Sequence, residues 1–462
     1  MVRSFLNIVM IVLAMATSLQ AQIQINSKVI DKESGKAIPF ANISIANTTK
    51  GTISNQEGDF QLYIPMTGLN TRVLVSSLGY QSVSIHPKKV GKNIQLTPIT
   101  YDLTEIKVTA SKLLNDPKKI LKECMKAAPG FKPDQPYINK GFLRQTHMLN
   151  NQYVKLIEAA LITHSNPEDQ NFKIHIKEKR NTYDKRSYHV KELQLFKYWD
   201  HMRYKKAKQK AKNTNLNEEE IANLIREQDE ETNSLDKLIQ INMAYQAKLP
   251  KISYSYCFDL NSISKYKPIQ LKLDTILEQN DEFVYKIKIL PTAKALKRDY
   301  FIHLGYLYIS TKDYALYEIE CAMLPNPNEK DSIAKRIIPS FANNFTIRYN
   351  RIKNKLYPSY YKYYDLDGTY SLKSLDKQPR IKRELLFTEI ITQKDQISQM
   401  LPTQWNDKLY EDSEYHPEFW ENYTILLETK DEAKLRKDLE SEVSLKEQYQ
   451  HATDSIRINQ IN

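Results

Sequence analysis

Glycine is scarce in this sequence, with ten in 462 residues. No Gly-rich phosphate loop, no G-x-S-x-G nucleophile elbow and no H-E-x-x-H occurs. Nucleotide-cradling loops, hydrolase elbows and the common zinc-peptidase helix are thereby excluded. Cysteine is scarcer still: Cys124, Cys257 and Cys321. An odd count cannot form a complete disulfide framework, and a chain this long does not need one. Cys257 and Cys321 both sit in strand-like runs, so they either pair with each other or stay as buried thiols. After the first 21 residues no stretch is apolar enough to span a bilayer.

What is plentiful is tyrosine, with thirty, set against a hydrophobic content of 41%. Many Tyr with few Gly suits strands that have one wet face. The formal net charge is +12. Part of it is local: "RYKKAKQKAK", Arg203 to Lys212, holds six basic residues. A solvated helix face accounts for this run, and contact with an anionic lipid or lipopolysaccharide is the alternative. Nucleic acid is not expected as a partner.

The start, "MVRSFLNIVMIVLAMATSLQAQ", has one Arg, an apolar run from Phe5 to about Ala16 and a small residue at Ala21. This is the layout of a secretory signal peptide over 1–21. The run is about a dozen residues, short of the roughly 20 a membrane span needs. Cleavage after Ala21 and export to the periplasm, or association with the outer membrane, are expected.

Residues 22–110 read as short strands at regular spacing. In "ANISIAN", Ala41, Ile43 and Ile45 share a face. In "GDFQLYIP", Phe60, Leu62 and Ile64 do the same. The turn between them is Asn55-Gln56-Glu57-Gly58. The pattern predicts a seven-strand-type β-sandwich. The order of the pieces is more specific: "NSKVIDKESGKAIPFANISI", "KGTISNQEGDFQL", "VLVSSLGYQSVSI", then "IQLTPITYDLTEIKVTAS". The segment resembles the carboxypeptidase-regulatory-like, transthyretin-like domain. The most telling parts are Leu78-Gly79-Tyr80 and Leu103 to Ala110, and Ser27 stands where that family usually has Gly. The resemblance implies an accessory module without peptidase chemistry. Such modules stand in exported proteins of Bacteroidetes type and ahead of TonB-dependent receptors. Receptors continue into a plug and a large barrel. No such sequence follows here, so a receptor is not expected.

Residues 111–145 predict a helix and connector. Asp116 is the N-cap, Pro117 the first helical residue, and Gly130 lies just past the end. Ile120, Leu121, Cys124 and Ala128 share one face. Residues 146–428 predict an antiparallel sheet or half-barrel with a helical insert at about 197–250. Asn217 with Glu218 to Glu220, and Ser234, are helix starts in that insert. Asn150-Asn151, Thr311-Lys312-Asp313 and Asp367-Gly368 are turns. Phe283, Tyr285, Ile287 and Ile289 share a face. Pieces of this region resemble the open half-barrel of lipoprotein carriers. Residues 429–462 predict a C-terminal helix and tail, with Leu435, Leu439 and Val443 as a stripe. The fold class is mainly β with helical additions.

Chemistry is thin. His189 and Glu192 form an H-x-x-E, yet "SYHVKELQLFKYW" alternates like a strand and would aim them at opposite faces. "DLDG", Asp365 to Gly368, lacks the later ligands of a calcium loop. The Tyr cluster from Tyr357 to Tyr370 is either a binding surface or strand packing. Tyr357, Tyr361 and Tyr363 are expected on one face, with Tyr360 and Tyr364 on the other. No catalytic residue, metal ligand or cofactor is assigned. The reading is a non-enzymatic envelope protein that binds a protein, glycan or lipid. A half-barrel carrier of a hydrophobic ligand and a hydrolase with a dispersed site are the alternatives.

Overall fold

Strict apolar alternation puts one face of each early strand into a core, and the computed structural model shows where each core lies. The structure describes residues 22–65, 70–99, 113–149, 152–167, 171–182, 260–279, 282–299, 301–328, 343–366, 380–409 and 413–450. The signal segment, Cys257, the basic run, the helical insert, His189 and Glu192, the Asn150-Asn151 and Asp367-Gly368 turns and Tyr370 lie outside these residues.

Seven short strands come first: β1 (Gln22–Asp31), β2 (Asn42–Ile45), β3 (Gly51–Ile53), β4 (Asp59–Pro65), β5 (Val73–Ser76), β6 (Val83–Ile85) and β7 (Asn93–Leu96). They form two sheets, β4-β1-β7 and β3-β2-β5-β6. This is the expected seven-strand sandwich. Ala41, Ile43, Phe60, Leu62 and Ile64 are buried in one core between the sheets. The Asn55 turn closes as read from sequence. The Asn55 side chain accepts from the backbone N–H of Glu57 and of Asp59, both at 2.9 Å. Gly58 sits at φ 83°, and a Cβ there would meet the Val29 carbonyl at 2.4 Å. Only glycine closes this turn without strain.

Helix α1 (Pro117–Phe131) follows. Asp116 caps it, accepting from Lys118 N at 2.9 Å, and Ile120, Leu121, Cys124 and Ala128 are buried. The helix runs past Gly130, which was expected to end it. Gly130 does not take the left-handed conformation of a C-cap, and burial of Phe131 beneath Arg351 adds the extra residue.

The remaining strands form one antiparallel sheet of ten: β8 (Tyr137–Leu149), β9 (Gln152–Asn166), β10 (Asn171–Asn181), β11 (Ile269–Gln279), β12 (Glu282–Pro291), β13 (Phe301–Ser310), β14 (Leu316–Pro325), β15 (Asn343–Ile352), β16 (Lys355–Leu366) and β17 (Arg380–Ile391). Their order is β10-β9-β8-β17-β16-β15-β14-β13-β12-β11. The sheet is open, with β10 and β11 at its edges. Residues 137–145, grouped with the connector in the sequence reading, therefore belong to this sheet. Short helices α2 (Leu260–Lys265), α3 (Ala293–Arg298), α4 (Lys394–Met400) and α5 (Pro417–Trp420) precede α6 (Lys430–Leu439).

The sheet has two different faces. One carries the main apolar core, with Leu143, Ile157, Tyr285, Ile287, Ile319, Ile347 and Leu385 packed under α1 and Ile263 of α2. Cys124 and Cys321 are buried in this core. Burial pushes the Cys124 thiol up to about 12, so it is an inert packing group. The opposite face receives the sandwich and the C-terminal segment.

Candidate functional site

The second face of the large sheet is polar, and its register places that polarity in rows. One row runs Lys286, Tyr308, Glu318, Arg348, Tyr360, with each residue directly opposite the next across β12 to β16. It ends in the apolar trio Leu386, Phe142 and Ala160. The neighbouring row runs Lys288, Tyr306, Glu320, Thr346, Lys362, Glu384, Arg144, Glu158, Arg180 from β12 to β10. Opposite charges stand side by side along much of it, the pairing that stabilises a sheet face.

The β8 to β10 end of these rows is sealed. Glu158 lies between two guanidinium groups: Arg144 Nε donates to Oε1 at 2.8 Å and Arg180 Nε to Oε2 at 2.7 Å. Burial works against the Glu158 carboxylate, but Arg144 and Arg180 win and hold it below the usual carboxylate range. Glu432 of α6 reaches in from above, 3.3 Å from Arg144 Nη1 and 3.5 Å from Lys382 Nζ. The same Glu432 accepts from Thr429 N at 2.8 Å, completing a capping box. The Arg180 guanidinium lies 4.4 Å over Trp420. Leu435 and Leu439 pack on Leu156 with Leu445 and Tyr449. Val443, expected in that stripe, is exposed, because α6 ends at Leu439 and Leu445 takes over the contact.

The middle of the face is covered by the sandwich. Phe40 and Ile53 join Phe142, Tyr360, Leu386 and Trp420 in one apolar cluster. Arg348 Nη1 donates to the Phe40 carbonyl at 3.0 Å, and Thr49 Oγ1 donates to the Ile390 carbonyl at 2.5 Å. The Asn55 turn serves as a clip. Asn55 Nδ2 donates to the Glu428 carbonyl at 3.1 Å, and Glu57 Oε1 accepts from Lys430 N at 2.9 Å. Tyr63 Oη donates to the Glu421 carbonyl at 2.6 Å. Gly79 N donates to the Glu278 carbonyl at 3.0 Å, which fixes the Leu78-Gly79-Tyr80 loop against β11.

Between these contacts the sandwich and the sheet border a partly open cavity of about 770 Å³. The sandwich supplies Asn42, Ser44 and Ser76, the outward side chains of β2 and β5, and Phe40 and Tyr80. The sheet supplies Lys286, Tyr308, Glu318 and Arg348 from the first row, with Asn350, Arg351 and Phe387. Charges on this wall are matched. Arg348 Nη2 is 2.8 Å from Glu318, Arg351 Nη1 3.6 Å from Glu282, and Lys286 3.8 Å from Asp274. Arg351 also bonds Asp313. Glu320 stands beside the cavity wall. Burial and the neighbouring Glu318 push its carboxyl up to about 8.

Within the tyrosine cluster, Tyr357, Tyr360 and Tyr361 are core rather than surface. Tyr360 is buried, donates to Glu384 Oε1 at 2.8 Å and lies against Phe40 at 5.5 Å. Tyr361 and Tyr363 stack at 6.4 Å in the main core. Tyr357 leaves the group expected for it and packs edge-on against Tyr137 at 4.9 Å, with Ile390. The cause is a bulge. Tyr360 pairs with Arg348 and Pro358 with Tyr349, so Ser359 is an extra residue that shifts the alternation. The residues that line the cavity, Lys286, Tyr308, Glu318 and Arg348, were not singled out from the sequence. The signal was present as i, i+2 polar positions inside apolar strands, but its meaning depends on register.

Among the described residues, no group of three or more His, Cys, Asp or Glu side chains could hold a metal ion. No helix among them is long and apolar enough to cross a membrane. No curated protein matches the chain. Three solved structures align with it at low similarity. A DUF1329 family protein from Desulfovibrio piger is 7% identical, over 60% of this chain and 94% of that one, at a TM-score of 0.21. A LolA superfamily protein from Nitrosomonas europaea is 8% identical, over 60% and 96%, at 0.18. An outer membrane lipoprotein-sorting protein domain from Vibrio parahaemolyticus is 9% identical, over 62% and 95%, at 0.22. Scores this low do not establish a shared fold. The N-terminal unit is different: its seven strands, its Leu78-Gly79-Tyr80 loop and a family match over residues 25–111 make it a CarboxypepD_reg-like domain.

Proposed function

We propose that this chain is a non-enzymatic binding protein of the cell envelope, whose ligand sits between the CarboxypepD_reg-like domain and the ten-stranded sheet. The observation that carries this reading is the cavity of about 770 Å³ at their junction. Its size is that of a small-molecule or oligomer site, and domain junctions are where such sites concentrate. The sandwich is then one wall of the site as well as a clamp on the C-terminal segment. Export through a signal peptide over 1–21 would bring the protein to the periplasm or the outer membrane.

The test is native mass spectrometry of the protein purified from its own envelope, beside Ser44→Trp. Ser44 is half-buried on the cavity side of β2, so an indole there fills the space without entering the sandwich core. A mass retained by the wild type and lost in the variant supports the reading. A mass retained equally by both places the ligand elsewhere and overturns it.

A further inference from the structure

The chemistry of the cavity wall narrows the class of ligand. An acyl chain would need an apolar lining. Here the apolar side chains of Ile38, Ile53, Leu277 and Phe387 are interleaved with polar groups, Asn42, Ser44 and Ser76 on the sandwich side and Glu318 and Arg348 on the sheet. Covering these groups with hydrocarbon would strip their water and return no hydrogen bonds. An anion would need uncommitted cations. Arg348, Arg351, Lys286 and Lys50 already face Glu318, Glu282, Asp274 and Glu389 at 2.8, 3.6, 3.8 and 3.5 Å, and Glu318 and Glu282 themselves line the cavity and repel a negative ligand.

What remains is a wall of paired charges and neutral polar groups in which donors and acceptors alternate over short distances, interrupted by aromatic rings. Tyr308 stands directly between Lys286 and Glu318 in the first row. Tyr80 enters from the sandwich side, with its hydroxyl already donated to Asp31 at 2.9 Å, which leaves its ring as the group offered to a ligand. Glu320 adjoins this wall, and with its carboxyl raised to about 8 it can donate as well as accept at neutral pH. A sugar matches such a surface. Its hydroxyls donate and accept in turn, and its C–H faces pack on aromatic rings.

We infer that the cavity takes an uncharged, hydroxyl-rich ligand, a short stretch of neutral oligosaccharide or polysaccharide, held between Tyr308 and the Glu318–Arg348 pair on the sheet and Asn42 and Ser44 on the sandwich. This rests on the binding reading above.

The experiment is affinity electrophoresis of the full-length protein through gels containing neutral glucan, mannan or xylan, and through polygalacturonate as an acidic contrast. Flotation with vesicles of anionic phospholipid runs in parallel. At least one neutral polysaccharide should retard the wild type, and high salt should leave the retardation unchanged. Ser44→Trp and Tyr308→Ala should each weaken it about tenfold or more. Because Tyr308 is buried, Asn42→Ala serves as a second, milder variant and should weaken it in the same direction. Retention only by polygalacturonate or by vesicles, or retention by no neutral polysaccharide, overturns the inference. If mass spectrometry then still shows a ligand of another class displaced by Ser44→Trp, the binding reading stands and only the glycan assignment falls. If neither assay finds a ligand, both fall.

Discussion

Glu158 is a buried carboxylate, at 2% side-chain exposure between Arg144 and Arg180. Removing its charge takes the nearest carboxylate from two guanidinium groups, one of them fully buried. Glu158→Gln should therefore cost about 3–5 kcal/mol, read from urea denaturation. His147 tests burial in a second way. Burial first, then Lys155 and Arg383, lower its pKa from 6.5 to about 3. A depressed histidine contributes stability that is complete above its unfolded value. That contribution is lost as the pH falls from about 6.5 toward about 3. His147→Gln should flatten this acid limb in a pH series of melting temperatures. Glu320 has the opposite sign. Its carboxyl is raised from 4.5 to about 8, so its contribution is complete below the unfolded value and fades as the pH rises toward about 8. Glu320→Gln should melt higher than the wild type above that pH. The gain will be reduced by screening, because the side chain is 36% exposed. None of these pairings could be read from sequence. Arg144 and Glu158 are two polar residues in apolar strands until β8 and β9 are placed side by side.

Elements were legible where a single period ruled. The sandwich strands alternate without interruption, so the sequence alone puts Ala41 with Ile43, and Phe60 with Leu62, on one face of their strands. The α1 face was identified for the same reason. Legibility failed at bulges. Ser359 in β16 offsets the tyrosines by one residue, and nothing in "LYPSYYKYY" except Pro358 hints at it. It failed again at long-range pairing. β8 is joined to β17 by the register Leu143 to Leu385, a contact no local pattern specifies. Strand β13 depends on a close approach of the same kind. A Cβ on Gly305 would sit 2.0 Å from the Glu320 carbonyl. Gly305→Ala should cost about 3 kcal/mol and loosen β13 against β14, seen as faster amide exchange in both strands. At the other end of the sheet, Leu435 is fully buried against Leu156. Leu435→Ala should cost about 2–4 kcal/mol and expose the segment after residue 413 to limited proteolysis.

At the scale of the whole molecule, the CarboxypepD_reg-like domain is a structural partner of the sheet. Its Asn55 turn holds the backbone of Glu428 and Lys430, its Phe40 and Ile53 seal an apolar cluster, and its β2–β5 face lines the cavity. The sequence resemblance identified this domain but not its orientation, because docking rests on two apolar residues and a handful of backbone bonds spread across the chain. Ile53→Asp should undock it. Small-angle scattering would then show a larger radius of gyration while circular dichroism keeps its strand signal.

The most direct measurement is a crystal structure of the protein as purified from its envelope, without refolding. The account predicts the sandwich seated with Arg348 on the Phe40 carbonyl, and density for a bound molecule against Ser44 and Tyr308. A sandwich swung away from the sheet, or a cavity filled by the protein's own side chains, would contradict it.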